Sequence, residues 1–385
     1  MFIRKSHIDA LKEALLTSEK QYIAIVWPHW AGKSHLLLSL LQDDATLEKK
    51  TIALFDAYDP DLESKLKSIE EWISIIILDS EHGIDIHYFR TFIESYKYDY
   101  RYIFTAEADI GDDMIHNFSL PFVSFREYCE DSGEDIRMGD ILAGNFDMSR
   151  INELKDHYIH LGHMPRHISH PESIGEDFRL ICTDIELELF DKEHIQFMEF
   201  FRSLAMETGN CFKADKLAKL LGITRRKVNK YMEILLKTNI IKGVWPWVQD
   251  METETSRHVK IYFTDLSILA SLLGDLHAQW AMKLWATENF TYLELERKLH
   301  NTHDIFYYRK KSGSEVTFIL EDRGTKKITP VEVNTRDSLA ISQALKSFDS
   351  EYHDRVERYM VMVESLAAKR DLGWTPLFIL PHATI

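Results

Sequence analysis

Gly32, Lys33 and Ser34 close the stretch Trp27-Pro28-His29-Trp30-Ala31-Gly32-Lys33-Ser34, which follows the apolar run QYIAIVW. These are the last three positions of G-x-x-x-x-G-K-[ST], in which backbone N–H groups at a helix start cradle phosphate oxygens. In that chemistry Lys33 neutralises the outer phosphates and the Ser34 hydroxyl ligates Mg²⁺, with Trp30, Ala31 and His35 completing the cradle. Trp27 departs from the pattern, which opens with a glycine that permits a tight turn and close backbone approach. The loop must take another path there, or the indole must pack over the site.

A second candidate follows the apolar run of IIILDSEHGID. Asp79 would bind Mg²⁺ through its water shell. A glutamate directly after such an aspartate polarises the attacking water in catalytic sites. Here Ser80 takes that place and the glutamate is Glu81. Neighbouring strand residues point to opposite faces, so a shift of one position matters. Thr105, ending a later strand, sits where a polar sensor of the γ-phosphate would lie. The plain alternatives are an accidental Gly-Lys-Ser at a helix start, an ordinary acid ending a strand, and a threonine without a role.

These residues need a frame. QYIAIVW, KKTIALFDAY, EWISIIILDS and YRYIFTAE read as four buried strands separated by helix-like segments, with LPFVSF as a fifth. That alternation predicts a parallel sheet covered by helices on both faces, with ligands beyond the carboxyl ends of the strands.

At 385 residues the chain exceeds one ordinary core, and 45% hydrophobic residues argue against wholesale disorder. The net charge of −16 argues against a protein coated in nucleic acid. Cys129, Cys182 and Cys211 share no ligand spacing and read as reduced thiols of a cytoplasmic protein. MFIRKSHIDALKEALL reads as a mixed-charge amphipathic helix rather than a signal peptide, and no apolar run approaches the roughly 18 residues of a membrane span.

FKADKLAKLLGITRRKVNKYMEILLKTNIIKGVWPW has the rhythm of a winged helix. Leu217, Ala218, Leu220 and Leu221 form the first apolar stripe, and Gly222 makes the turn. Thr224 caps a second helix carrying Val228, Tyr231 and Leu235, and KIYFTD supplies a returning wing strand. From Lys213 to Lys242 nine Lys/Arg face two acids, a balance of 9 − 2 = +7. Arg225, Arg226, Lys227 and Lys230 occupy the part of the second helix that would meet DNA phosphates and base edges, in a local and salt-sensitive contact. A merely solvated helix face, or one packed on protein, is the alternative.

Together with LPFVSFREYCED, these motifs resemble a group of prokaryotic AAA-type ATPases whose C-terminal region is a domain of unknown function with a restriction-endonuclease-like core. Pro121, Ser124, Phe125 and Glu127 match the proline, Ser-Phe pair and glutamate that end that family's ATPase core. Gly162 and Pro165 of YIHLGHMPRHI match its glycine-rich segment. The family's loop reads Gly-Pro-Arg-Arg-Val-Gly-Lys-Thr, its Asp-Glu pair becomes Asp79-Ser80, and its Thr-Gly-Ser becomes Thr105-Ala106-Glu107. His160, His163, His167 and His170 in this segment read as surface or packing residues rather than metal ligands, because Gly162 and Pro165 interrupt their near-helical spacing.

In the last third the resemblance aligns a nuclease site with Glu288, Glu315-Val316-Thr317 and Glu332-Val333-Asn334. Such chemistry needs two carboxylates on Mg²⁺ and a lysine orienting water. Thr317 and Asn334 replace an acid and the lysine, so a silent, degenerate site is expected.

The expected architecture is α/β: a P-loop parallel-sheet ATPase core over 1–128, a helical lid over 129–195, a winged helix-turn-helix over 196–275 and an α+β endonuclease-like domain over 276–385. The expected function is an ATP-binding, Mg²⁺-dependent switch with slow or absent hydrolysis, coupled to DNA or protein binding, cytoplasmic, with no membrane partner and with homo-oligomerisation expected by analogy. The alternatives are a non-enzymatic DNA-associated adaptor with a decayed nucleotide site and an Mg²⁺-dependent DNA endonuclease.

Overall fold

The computed structural model describes residues 4–26, 32–42, 52–70, 73–80, 84, 86–95, 100–106, 110–135, 147–189, 194–247, 258–274, 280–310, 313–334, 342–363 and 374–376. Trp27, Trp30, Ala31, Glu81 and Glu107 lie outside these residues. The chain divides into two compact units: Met1–Val123 with Met164–His170, and Ser124–His163 with Pro171–Ile385. The first closes earlier than the boundary at 128 expected for the core and takes back a short segment from the expected lid.

The first unit is built on strands β1 (Tyr22–Val26), β2 (Ile52–Asp56), β3 (Ile75–Asp79), β4 (Arg101–Ala106) and β5 (Ile115–Ser119). They pair in the order β2-β3-β4-β1-β5, parallel throughout. Helices α1 (Lys5–Thr17), α2 (Lys33–Gln42), α3 (Leu62–Lys67) and α4 (Ile86–Ser95) accompany them.

Two cores lie on the two sheet faces, and strand alternation sorts residues between them. Ile23, Ile25, Ile75, Ile77 and Ile103 pack with Ile8, Leu11 and Leu15 of α1 and Leu36, Leu37 and Leu40 of α2. Tyr22, Ala24, Ile76, Leu78, Tyr102 and Phe104 pack with Leu62 and Leu66 of α3 and Phe89 and Phe92 of α4. Each such buried side chain contributes roughly 1.5–3 kcal/mol of transfer free energy. Both faces are covered over the central strands β1 and β3, which therefore read as unbroken apolar runs, whereas the edge strand β2, expected to be buried, is only half-buried, with Leu54 and Asp56 exposed.

The fifth strand corrects the sequence reading. It is Ile115–Ser119, whereas LPFVSF forms no strand and leads into helix α5 (Phe125–Asp131). Pro121 has no N–H to give to a ladder. Leu120 still donates to the Val26 carbonyl at 2.9 Å. The Pro121 and Phe122 carbonyls instead accept from the buried Arg4 guanidinium, fastening the approach to α1 against the end of the sheet.

The second unit contains helices α6 (Met148–Leu161), α8 (Ile174–Leu189), α9 (His194–Ala205), α10 (Ala214–Leu221), α11 (Arg225–Lys237), α12 (Leu266–Leu273), α13 (Trp280–Leu299) and α14 (Gln343–Tyr352); α7 (Pro165–Ser169) belongs to the first unit. Its strands are β6 (Ile241–Pro246), β7 (Lys260–Phe263), β8 (His303–Arg309), β9 (Glu315–Asp322), β10 (Ile328–Asn334), β11 (Met360–Val363) and β12 (Trp374–Pro376). They form one mixed seven-stranded sheet, β12-β11-β10-β9-β8-β6-β7. The β6–β7 hairpin joins the rest through a short parallel pairing of Trp245 and Pro246 with Phe306 and Tyr307. The segments expected as separate domains on either side of residue 275 thus share a sheet.

Among the described residues no helix is long and apolar enough to cross a membrane.

Candidate functional site

Gly32 sits at the start of α2 with φ +83°, in the left-handed region that favours glycine, and its carbonyl accepts Leu36 N–H at 2.9 Å. A Cβ there would lie 3.1 Å from Pro165 Cγ, so the backbone is also closely approached. Lys33 is buried, Ser34 is exposed and His35 is intermediate. The first turn of a ten-residue helix directs amide N–H groups beyond its N-terminal end, the arrangement that attracts anions.

Register brings the other candidates to that end of the sheet. Ile25 pairs with Thr105, Val26 with Ala106, and Leu78 with Phe104, so Asp79, Thr105 and the exit of β1 stand at one level. Ile75, Ile77 and Ile103 face the α1/α2 core. Period-two alternation therefore puts Asp79 and Thr105 on the face carrying α2. The Asp79 carboxylate accepts Ser80 N–H at 3.0 Å, and its carbonyl accepts Ala57 N–H at 2.8 Å.

Thr105 is fully buried. Its hydroxyl accepts from Ser80 N–H at 3.2 Å and donates to the Ser80 carbonyl at 3.3 Å. A hydroxyl has one proton to give, and here it ties β4 to the end of β3 rather than turning outward.

The motif after the sheet has a structural explanation. Ser124 and Glu127 form a capping box: the Ser124 hydroxyl accepts Glu127 N–H at 3.2 Å, and Glu127 accepts Ser124 N–H at 2.9 Å. Phe125 is fully buried against Tyr158 and Phe290, and its N–H donates to the buried Glu294 carboxylate at 3.3 Å. Glu294 also holds Arg297 and accepts from Tyr158 at 3.4 Å.

Gly162 is explained in the same way. With φ +78° it lies against Asp265, 2.5 Å from the position a Cβ would take, while Asp265 caps α12 and accepts His163 N–H at 2.6 Å. His163 and His167 are buried, whereas His160 and His170 are exposed. Among the described residues no group of three His, Cys, Asp or Glu side chains is arranged to hold a metal.

In the helical hairpin, Gly222 is left-handed at the C-cap of α10 with φ 64°, and the Thr224 hydroxyl accepts Lys227 N–H at 3.3 Å. Val228, Tyr231 and Leu235 are fully buried, as their spacing required. Leu220 departs from the expected stripe and is 67% exposed, while Leu217 and Ala218 are buried and Leu221 is half-buried. Arg225, Arg226 and Lys230 are exposed, and with Thr224, Lys227, Asn229 and Glu233 they line a shallow open concavity. Arg225 pairs with Asp215 at 3.3 Å, and Lys227 donates to Gln196 at 2.5 Å.

The three acids aligned with a nuclease site do not assemble. Glu288 on α13 and Glu315 on β9 both meet the ammonium of Lys260, a buried strand residue. Glu332 instead accepts from Ser342 N–H at 3.4 Å, at the start of α14. It shares a strand face with Ile328, which packs on Leu345 and Phe348 of α14. On the α13 side, Tyr292 stacks on Tyr262 at 4.6 Å and lies 6.2 Å from Phe318. Thr317 accepts Val333 N–H at 3.3 Å, and the Asn334 side chain lies outside the described residues.

Lys260, Asp265 and the Glu294–Arg297 pair are functional-looking positions that no sequence motif marks. The one visible signal is a lysine inside the apolar run of VKIYF. A charge in such a strand implies buried partners, but not which ones.

Similarity to known proteins adds no activity to this geometry. Residues 152–278 match a family described as a domain of unknown function (DUF8612), and residues 286–377 match another, also a domain of unknown function (DUF4143). An uncharacterized protein of Mycobacterium bovis is 24% identical over 147 residues, 37% of this chain and 33% of the relative. An uncharacterized protein of Mycobacterium tuberculosis has the same identity and coverage. The chain thus spans about a third of the length of the curated relatives it matches. The fold defines a mixed α/β protein with a five-stranded parallel sheet and a second, mixed sheet.

Proposed function

We propose that this chain is an ATP-binding switch of AAA type with slow or absent hydrolysis, whose nucleotide state governs contact with DNA or a protein partner. The observation that carries the reading is the convergence, by register and alternation, of Asp79 and Thr105 on the sheet face that bears α2, which opens at a left-handed Gly32 followed by Lys33 and Ser34. The P-loop type of site, beyond the carboxyl ends of a parallel sheet, is the general place for a nucleotide in such folds.

The left-handed Gly32 at the start of α2, followed by Lys33 and Ser34, supports this reading. Gly32 combines a conformation that L-residues rarely adopt with a space in which a Cβ would press on Pro165. With ATP and Mg²⁺ bound, Lys33 and the amides of the first turn of α2 would hold phosphates, and Ser34 and Asp79 would hold the metal. Mg²⁺ supplies neutralisation of phosphate charge. The low turnover rests on this chain's own groups. Ser80 follows Asp79 directly, and its backbone occupies the Thr105 hydroxyl that would sense a γ-phosphate. Glu81 remains the proposed residue for orienting water.

The α10-turn-α11 pair followed by the β6–β7 hairpin supports a winged-helix reading. Its exposed Arg225, Arg226 and Lys230 support contact with phosphates, with Lys227 at the edge of the same concavity. A homo-oligomer completing the nucleotide site with a neighbour's arginine is proposed by analogy alone. The engaged Thr105 hydroxyl favours a second reading, a DNA-associated adaptor whose nucleotide site has decayed. An endonuclease draws no support, because Glu288 and Glu315 share a lysine and Glu332 faces away from them.

Calorimetric titration of the full chain with Mg-ATP tests the first reading. Binding weakened about tenfold or more by Lys33→Ala is expected, since a charge-assisted hydrogen bond to phosphate is worth about 1.5–3 kcal/mol. Equal affinity in the two proteins overturns it. Phosphate release with and without duplex DNA then separates switch from adaptor.

A further inference from the structure

We infer that the Lys260 ammonium is the resident cation of the C-terminal module, standing where two glutamates from different elements would otherwise hold a divalent metal ion. This inference is independent of the nucleotide reading. Lys260 lies on β7 with only 1% of its side chain exposed. Its Nζ is 3.1 Å from Glu288 Oε1 on α13 and also pairs with Glu315 Oε1 on β9. The Tyr262 hydroxyl donates to the same Glu288 oxygen at 2.6 Å. The Tyr307 ring lies 5.5 Å below the ammonium, and Arg309 reaches the other Glu315 oxygen at 3.7 Å. Carboxylate oxygens from two elements thus meet at one point, which carries a positive charge, and Tyr262 braces one of them.

Hard divalent cations are bound by this kind of oxygen set, carboxylates first. A pair of ionised carboxylates facing one buried point needs a cation between them, or else one of the two must take up a proton. Burial would depress the Lys260 ammonium, yet Glu288 and Glu315 outweigh that effect and hold it above the ordinary lysine value. The charges close without an external ion: Lys260 and Arg309 against Glu288 and Glu315. Gly209 closes one side of Glu288: a Cβ there would lie 3.1 Å from Glu288 Oε1. Among the described residues no third acid, histidine or cysteine joins the pair to make a metal set. The lysine therefore occupies the point between Glu288 and Glu315 and excludes Mg²⁺ from it.

The test counts bound Mn²⁺ by electron paramagnetic resonance in the full chain, with Mn²⁺ as a probe for hard divalent ions. The wild-type chain is expected to hold no Mn²⁺ that depends on Glu288. Lys260→Met keeps most of the aliphatic stem but removes the charge, and it is expected to gain one Mn²⁺ per chain. Glu288→Gln in that background is expected to abolish it. Because the variant is also expected to be less stable, its melting temperature is measured with and without Mn²⁺, and a rise that Glu288→Gln removes supports the inference. A Lys260→Met chain that neither binds Mn²⁺ nor is stabilised by it overturns the inference, as does Glu288-dependent Mn²⁺ in the wild-type chain.

Discussion

Pro165 closes the space beside Gly32: its Cγ lies 3.1 Å from where a Cβ on that left-handed glycine would stand. Conformation and crowding thus impose the same residue at the start of α2. Gly32→Ala is expected to lower stability by about 1–2 kcal/mol from the left-handed backbone alone, with the Pro165 contact adding to it. Urea unfolding of the single variant and of Gly32→Ala/Pro165→Ala checks this. The second substitution should recover only the steric part, because the strained φ remains. Under the proposed function, Gly32→Ala should also weaken Mg-ATP binding.

The buried Glu294–Arg297 pair gives a prediction with a pH signature. Burial raises the Glu294 carboxyl, and Arg297 is the strongest influence lowering it again. Arg297→Met removes that partner and is expected to cost about 3–5 kcal/mol, the usual loss when one half of a buried pair is deleted. In the variant Glu294 is raised further above its unfolded value, so the native state binds the extra proton. Stability then falls as pH rises from the ordinary carboxylate range upward. The destabilisation measured by urea unfolding should therefore be larger at pH 7 than at pH 5.

Cysteine reactivity should follow burial. Cys129 is almost wholly buried, and burial pushes its thiol well above the usual range; Cys182 is buried too, while Cys211 is partly exposed. Thiolate is the reactive form. Iodoacetamide labelling followed by peptide mass spectrometry should find Cys211 modified first, with Cys129 slower by about tenfold or more. Comparable rates in the folded protein would contradict this burial.

The α11 face makes a prediction that depends on the winged-helix reading. Arg226→Ala and Lys230→Ala should weaken duplex DNA binding across unrelated sequences and reduce the salt slope by about one for each phosphate left without its cation. Lys227→Ala should matter less, because its ammonium is already bonded to Gln196. Fluorescence anisotropy at several salt concentrations reads both effects.

Local chemistry was legible where one residue type answers one backbone need. The apolar runs of β1 to β4, the turn at Gly222, the Thr224 cap and the buried Val228, Tyr231 and Leu235 all follow from short-range pattern. LPFVSF misled because an apolar run without alternation does not distinguish a strand from the approach to a capped helix. The capping box of Ser124 and Glu127 was there to be read in the spacing.

The sequence by itself determined the positions of β1 to β4 and of the α10–α11 hairpin, because apolar periodicity acts within a few residues of the chain; the polar strand β5 carried no such signal. Only the tertiary structure decided who meets whom. It carried β4 between β1 and β3, set Asp79 level with Thr105, pressed Pro165 on Gly32 and drew Glu288 and Glu315 onto Lys260 while leaving Glu332 on the other face. Those partners lie tens or hundreds of residues apart. Their pairing depends on strand order and register, which are settled by packing two whole faces at once and not by any local pattern.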